Sequence, residues 1–410
     1  MRHTSASVPA DERRQAAISG RLREEWENLT REEDVKKIIL AVAAFGMLTG
    51  AAFSQAPNFD DPAEFAKQRD QLTAAFNGPA DKPYLQYAGD SMADTGKFKK
   101  EGPWTVCFSN AGVNNPWRVV GYTDMTEEVK LHPEIGTFTH VDAEGSDDKQ
   151  IADIDDLLAG GNCSVLIVSP NSTAALTPAV EKACAAGLPV IVFDRGVTTN
   201  CAVTFVHPVG GYGFGIQAAE HIIANVPAGG KVLMLRILPG VDVLETRASG
   251  ARNMFKEAGL TVLGEEFTDG DNAKTKSIVE DYLQRGAIDA VWMDAGATAV
   301  AAVEAFEDQG VDVPVVTGED QQDYLQKWRD LGFKGIAPTY PTYQWRTAII
   351  AAVNTLKGEQ VPGPEWVLPQ PAITQDVLDK YINEKMPPLH YAMCGCEDMP
   401  NYPQAWGGTK

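Results

Sequence analysis

The sequence predicts an α/β fold of two similar doubly wound lobes, each a parallel sheet flanked by helices. Three observations predict it. Short β-branched runs alternate with helical patterns of about ten to fifteen residues from residue 104 onward, the signature of βαβ units. The alternation starts afresh after about a hundred residues, so two lobes are expected rather than one large sheet. No repeat of shorter period underlies it.

Taken in order, the first lobe has apolar strand patterns at 104–108, 137–141, 165–168, 190–193 and 203–206. Between them lie helical patterns such as "SDDKQIADIDDLLAGG", where Ile151, Ile154, Leu157 and Leu158 share one face. Asp147 and Asp148 suit the positive end of that helix, and Gly160-Gly161 stop it. The second lobe reads as strands at 232–235, 261–262, 290–293 and 313–316, with helices near 214–225, 245–258, 273–285, 297–309 and 321–331. After Ala337, "PTYPTYQWRTAIIAAVNTL" contains a helix and "EWVLPQPAIT" a strand, and neither pattern says which lobe it joins. Residues 57–102 are polar with one short helical pattern at 62–76, and read as an extension or cap. "YAMCGCEDMPNYPQAWGGTK" has no periodicity and reads as a surface tail.

Composition narrows the function classes. With 44% hydrophobic and 22% charged residues, the 410-residue chain can bury sizeable cores. A net charge of −21 without clustered Lys and Arg argues against nucleic acid and anionic membrane surfaces. Lys36-Lys37 precede "IILAVAAFGMLTGAAFSQA", a basic, apolar and small-residue succession expected of a cleavable export signal over 35–56, cut after Ala56. Residues 1–34 are polar and charged, so translation is expected to begin near Val35. The stretch up to Ala56 carries equal numbers of acidic and basic residues, and its removal leaves the net charge unchanged. An exported chain meets an oxidising compartment, where its six cysteines (107, 163, 184, 201, 394 and 396) can pair, in a pattern that sequence leaves open. Cys394-Gly-Cys396 lacks the two-residue spacer, a matching second pair and nearby histidines of a metal site, so no metal and no cofactor are expected.

In doubly wound sheets ligands bind beyond the carboxyl ends of the strands. Six short polar clusters stand at such ends here, and both lobes contribute. They are Asn114-Asn115-Pro116-Trp117-Arg118; Asp194-Arg195-Gly196; Glu245 and Arg247; Asp294; Glu319-Asp320; and Thr339, Tyr340, Thr342, Tyr343 and Gln344. Each alone has a structural explanation. Asn115 suits a helix N-cap with Pro116 at the first helical position, and Asp194-Arg195 could be a loop ion pair. Six clusters in register point instead to a shared site. Arg beside Asp brackets vicinal hydroxyls, and Trp117 offers a flat face to the C–H side of a sugar ring. Enzymatic signatures are thin: the histidines are scattered, and there is no nucleophile elbow or phosphate-binding loop. "GGYGFGIQAAEH" imitates a dinucleotide fingerprint but has Ile216 where the third glycine belongs, and reads as a glycine-rich lobe crossover.

The motifs "NNPW", "PVIVFDRG", "RASGARNMF", "AVWMDAG", "VTGED" and "PTYPTYQ", in this order, resemble type I periplasmic sugar-binding proteins, the ribose-binding branch that serves ABC importers, over residues 103 to 385. The resemblance implies two Rossmann-like lobes joined by a three-segment hinge. The lobes are 103–208 plus about 340–365, and 209–339 plus about 366–388, with a tail at 389–410. It implies ligand contacts from Asn115, Trp117, Asp194 and Arg195 on the first lobe and Arg247, Asp294 and Asp320 on the second, with Tyr340 (or Thr339) near the hinge. Arg118 stands where the ribose binder has an aromatic residue, and Asp294 where it has asparagine, so ribose itself is not expected. The expected function is a monomeric periplasmic solute-binding protein, not an enzyme. It would capture a neutral monosaccharide or polyol, since its arginines and carboxylates balance, and deliver it to an ABC transporter permease. The alternatives are a periplasmic receptor for a sugar-like signal and, behind it, an α/β enzyme using Asp194 or Glu319. A sugar-sensing repressor would need a DNA-binding segment where the export signal stands.

Overall fold

Strands that are apolar on both faces need helices on both sides, and the computed structural model, which describes residues 59–410, is built around such strands. The expected export signal, its cleavage point and the segment before it lie outside these residues. The described chain opens with α1 (Pro62–Gln71), shorter than the periodicity at 62–76 suggests, and β1 (Met92–Ala93).

The first sheet contains β2 (Trp104–Asn110), β3 (Ile135–Asp142), β4 (Val165–Ser169), β5 (Val190–Phe193) and β6 (Thr204–Pro208). They alternate with α2 (Pro116–Val129), α3 (Asp147–Gly160) and α4 (Thr173–Ala185). The second sheet contains β7 (Lys231–Arg236), β8 (Thr261–Phe267), β9 (Ala290–Met293), β10 (Val315–Thr317) and β11 (Gly335–Pro338). Around these pack α5 (Gly211–Asn225), α6 (Asp242–Glu257), α7 (Asn272–Arg285), α8 (Ala299–Asp308) and α9 (Gln322–Leu331). β4, β5 and β9 are buried along their whole length. Local chemistry sets the helix ends. In α3 the Ser146 hydroxyl accepts from the Lys149 amide at 3.2 Å, two aspartates fill the first turn, and Gly161 closes the helix at φ 63°.

The chain then returns through α10 (Gln344–Lys357), β12 (Val361–Pro362), β13 (Glu365–Leu368) and β14 (Ala372–Ile373). β12 pairs with β1, β13 adds parallel to β6 at the edge of the first sheet, and β14 adds antiparallel to β11 at the edge of the second. Both sheets therefore have six strands in the same order, β3-β2-β4-β5-β6-β13 and β8-β7-β9-β10-β11-β14. Two corrections follow. "EWVLPQPAIT" is two strands in different sheets, and the passage between lobes falls after Leu368 rather than at 366. Pro369 and Pro371 flank that passage; a proline there removes a ladder donor and ends each strand.

Three segments connect the lobes: 209–210, 339–343 and 369–371. They are tied side by side. Gly210 N donates to Gln370 Oε1 at 2.7 Å, Thr339 Oγ1 to the Pro371 carbonyl at 2.6 Å, and Tyr343 OH to the Pro369 carbonyl at 2.5 Å. The glycine-rich start of α5 serves close packing on α6: a Cβ at Gly215 would stand 2.4 Å from the Arg247 carbonyl oxygen.

The two terminal segments are integral to the fold. α1 lies on the second lobe, where Phe65 meets Tyr212 edge-on and Gln68 Oε1 accepts from Gly213 N at 3.0 Å. Residues 77–100 lie on the first lobe, where Ala88 N donates to the Val367 carbonyl and Trp366 Nε1 to that of Gln86. The expected surface tail is a further correction. Tyr391, Cys394, Cys396, Met399 and Trp406 are buried together with Val120 and Met386. Their irregular backbone has no period by which burial could be read. The six cysteines pair as 107–163, 184–201 and 394–396. His390 lies within 4.8 Å of the Cys394 and Cys396 sulfurs, so the expectation that no histidine stands near them is also corrected. Among the described residues no helix is long and apolar enough to cross a membrane.

Candidate binding cleft

The carboxyl ends of both sheets open on one cleft, because in each sheet the strand that comes first in the sequence lies inside, and the order in which strands are added reverses beside it. The cleft encloses about 110 Å³. A single water needs about 10–15 Å³ of such space, so the room suits a small molecule of several waters' bulk.

On the first lobe the wall starts at the turn from β2 into α2. Asn115 caps that helix, its Oδ1 accepting from Arg118 N at 3.0 Å, and Pro116 occupies the first helical position. Asn115, Trp117 and Arg118 all line the cleft. Trp117 rests against Tyr340 and Trp345, and its Nε1 donates to the Tyr340 carbonyl at 2.6 Å. Arg118, only 3% exposed, reaches across the ends of the strands. Its Nη2 donates to Asp194 Oδ2 at 2.7 Å and its Nη1 to Asn110 Oδ1 at 3.2 Å and Ser169 Oγ at 3.3 Å. Asp194 is buried, follows β5 with φ 68°, and also accepts from Ser169 Oγ. Arg195 is half-buried, and its Nη1 donates to the Asn171 carbonyl at 2.6 Å. Burial and the neighbouring Arg118 push its guanidinium down to about 10, so it stays charged at neutral pH. Tyr340 contributes its ring to the cleft while its hydroxyl donates to the Asp194 carbonyl at 2.9 Å.

On the second lobe Arg247, near the start of α6, donates from Nη1 to Glu319 Oε1 at 2.9 Å and to the Asp294 carbonyl. Its guanidinium lies 3.9 Å from the Phe214 ring centre and 4.8 Å from that of Tyr340. Glu319 Oε2 accepts from Gly296 N at 3.1 Å and from Tyr391 OH at 3.3 Å. The rest of this wall is apolar: Ile237, Leu238 and Val241 from the turn after β7, Val243 and Leu244 from the first turn of α6, and Ala295 and Ala297.

Two expected contacts do not line the cleft. Asp294 is buried behind it, with Oδ1 accepting from Ile237 N at 2.8 Å and Oδ2 3.5 Å from Arg236 Nε. Asp320 points the other way, its Oδ2 accepting from Met393 N at 2.6 Å, while its carbonyl accepts from Ala392 N. The carboxylate facing the cleft is Glu319, one residue earlier, because successive residues of an extended chain point to opposite faces. With Asp294 and Asp320 withdrawn, the charges on the wall are three arginines and two carboxylates, so the expected balance does not hold. From the sequence, Glu319 stands in its strand-end cluster and in the alternative enzyme reading but not among the ligand contacts, and Tyr391 and the apolar turn are missed. Tyr391 carries no local signal, since it reaches the cleft only through the fold of the carboxyl-terminal segment.

Burial pushes both withdrawn carboxyls up to about 7. For Asp320 the causes are loss of hydration and the neighbouring charge of Glu319, against the Met393 amide, which favours ionisation. A carboxyl raised in the folded state adds stability that is complete below its unfolded pKa and is lost as pH rises through its folded value. Asp320 should therefore weaken the fold between about pH 4 and pH 7, by up to a few kcal/mol. Asp320→Asn removes this titration, so in denaturant melts the variant should gain on the parent across that interval. A constant difference between the two proteins would contradict the assignment.

Two doubly wound lobes facing one cleft, tied by three crossing segments, define a two-lobed receptor for a small molecule. The sequence matches the periplasmic binding protein domain over residues 106–360, and the chain belongs to that family. It is 30% identical over 264 residues to the ribose import binding protein RbsB of Bacillus subtilis, covering 64% of this chain and 84% of that protein. It is 25% identical over 223 residues to the ribose import binding protein RbsB of Escherichia coli, covering 54% of this chain and 75% of the other. The fold is similar to an ABC transporter solute binding protein from Bacillus halodurans with bound myo-inositol, with TM-score 0.62, 21% identity, and coverage of 69% of this chain and 98% of the other. It is also similar to an ABC transporter solute binding protein from Thermobispora bispora, with TM-score 0.61, 22% identity, and coverage of 75% and 97%.

Proposed function

We propose that the protein is a monomeric periplasmic solute receptor that takes up a monosaccharide or polyol between its lobes and delivers it to an ABC transporter permease. The observation that carries this reading is the meeting of Asn115, Trp117, Asp194 and Arg195 from one lobe with Arg247 and Glu319 from the other on a single small cleft. Groups shared by two lobes bind tightly only when the lobes approach. A ligand touching both therefore draws the population toward the closed form. The closed form is what a permease would select.

The relatives named for ribose import support the ligand class and the transport partner, and no chemical step is needed. The chain's acidity supports a role apart from nucleic acid. A thermal-shift screen against pentoses, hexoses and polyols tests the reading. A ligand that binds only the folded state stabilises it by about 2.7 kcal/mol at a hundred times its dissociation constant. The expected result is a raised midpoint for a small subset of these compounds; a flat response to every sugar and polyol, and to sugar acids added to the same screen, would remove it. Loss of uptake on deleting the gene distinguishes transport from signalling, which would leave uptake intact.

A further inference from the structure

Among the described residues Arg195 is the one arginine of the cleft with no carboxylate at ion-pairing distance, Asp194 and Asp242 acting on it only from farther off. Arg118 takes Asp194 at 2.7 Å and Arg247 takes Glu319 at 2.9 Å, two buried pairs that cancel within the protein. Asp194 Oδ2 is committed twice, to Arg118 Nη2 and to Ser169 Oγ. Among the described residues Arg195 makes no ion pair. It spends only Nη1, on the Asn171 carbonyl, and leaves the rest of its donor fork facing the cleft. On the opposite wall, Arg247 Nε is buried without a partner.

These charges matter most when the lobes close. Closure strips water from the cleft, and a cation left there without a counter-ion carries a large desolvation cost. A neutral ligand offers Arg195 hydroxyls but no charge. A carboxylate matches the guanidinium fork with two parallel charge-assisted hydrogen bonds. The apolar turn of Ile237, Leu238 and Val241 leaves few hydroxyl partners on the second lobe beyond Glu319, and suits the C–H face of a compact ligand.

We propose that the ligand is a sugar acid, a small polyhydroxylated monocarboxylate such as an aldonate or uronate, with its carboxylate on Arg195. The proposal rests on the reading of the cleft as a sugar receptor and narrows it. Arg118 is the residue that makes the difference: by neutralising Asp194 from within, it hands the charge of Arg195 to the ligand.

The test is titration calorimetry on the full chain at physiological ionic strength. D-gluconate and D-galacturonate are compared with D-glucose, D-galactose and acetate. Hydrogen bonds to charged groups are strong enough that an acid should bind about tenfold or more tighter than its neutral parent. Arg195→Gln should erase that preference while Arg195→Lys keeps part of it, with melting of both unliganded variants checking that they fold. Neutral parents binding as tightly as the acids would overturn the sugar-acid proposal and leave the receptor reading in place. Binding of none of the sugars or sugar acids would overturn the receptor reading itself. Acetate binding as tightly as the uronate would show that the hydroxyls are not read, and a preference that survives Arg195→Gln would place the carboxylate elsewhere; either result overturns the proposal.

Discussion

Replacing Asp194 by Asn is expected to lower the stability of the unliganded protein by about 3–5 kcal/mol, the usual consequence of leaving one partner of a buried ion pair alone. Both side chains of the Arg118–Asp194 pair are only 4% exposed, so water cannot screen the guanidinium that remains. Asparagine is the informative substitution, because Asp194 sits at φ 68°, a left-handed conformation that Asn tolerates. The loss then reports charge rather than backbone strain. The double variant Arg118→Met with Asp194→Asn should recover most of it, since removing both charges of a buried pair is often close to neutral. Guanidinium denaturation of the parent, single and double variants gives the comparison. A single variant within about 0.5 kcal/mol of the parent would mean that the pair behaves as an exposed one.

The second large effect is expected far from the cleft. Trp406 is 7% exposed, packs against Tyr402, and donates from Nε1 to Asp124 Oδ1 at 2.7 Å. Trp406→Ala should cost about 3–5 kcal/mol as a large-to-small change in a packed cluster. Substitution of a tryptophan on a surface tail would stay within about 0.5 kcal/mol. Asp124 strengthens the contrast. It is fully buried, with its carboxyl pushed well above the ordinary range, and loses a donor with the indole. Nearby, Arg346 ties α10 to this segment through Asp398 at 2.8 Å and to α2 through Glu128 at 2.8 Å, stacked 3.6 Å from the Tyr84 ring centre. Loosening the segment should also weaken ligand binding, because it carries Tyr391 to Glu319. A Trp406→Ala protein with unchanged midpoint and slope in denaturant would return the segment to the surface.

The sequence by itself determined the two sheets and their helices, because strands buried on both faces and helices capped by Ser146, Asn115 and Gly161 carry periodic and local signals. It also determined that strand ends bring Asn115, Trp117, Arg118, Asp194, Arg195, Arg247 and Tyr340 toward one place, since ligand clefts of such sheets lie beyond the carboxyl ends of strands. Tertiary structure alone decided which of two adjacent acids faces the cleft. At Glu319-Asp320 a rotation of one residue exchanges a cleft-facing carboxylate for one that holds the Met393 amide. It alone decided that Pro369-Gln370-Pro371 crosses between lobes, because each half of that stretch looks like a strand until its partner is known. It alone brought Tyr391 and Trp406 inside, since burial of irregular chain depends on distant side chains and leaves no period in the sequence. The sign of the cleft belongs with these. Net charge at a site is a sum over the residues that point inward, and direction is set by packing, which composition does not contain.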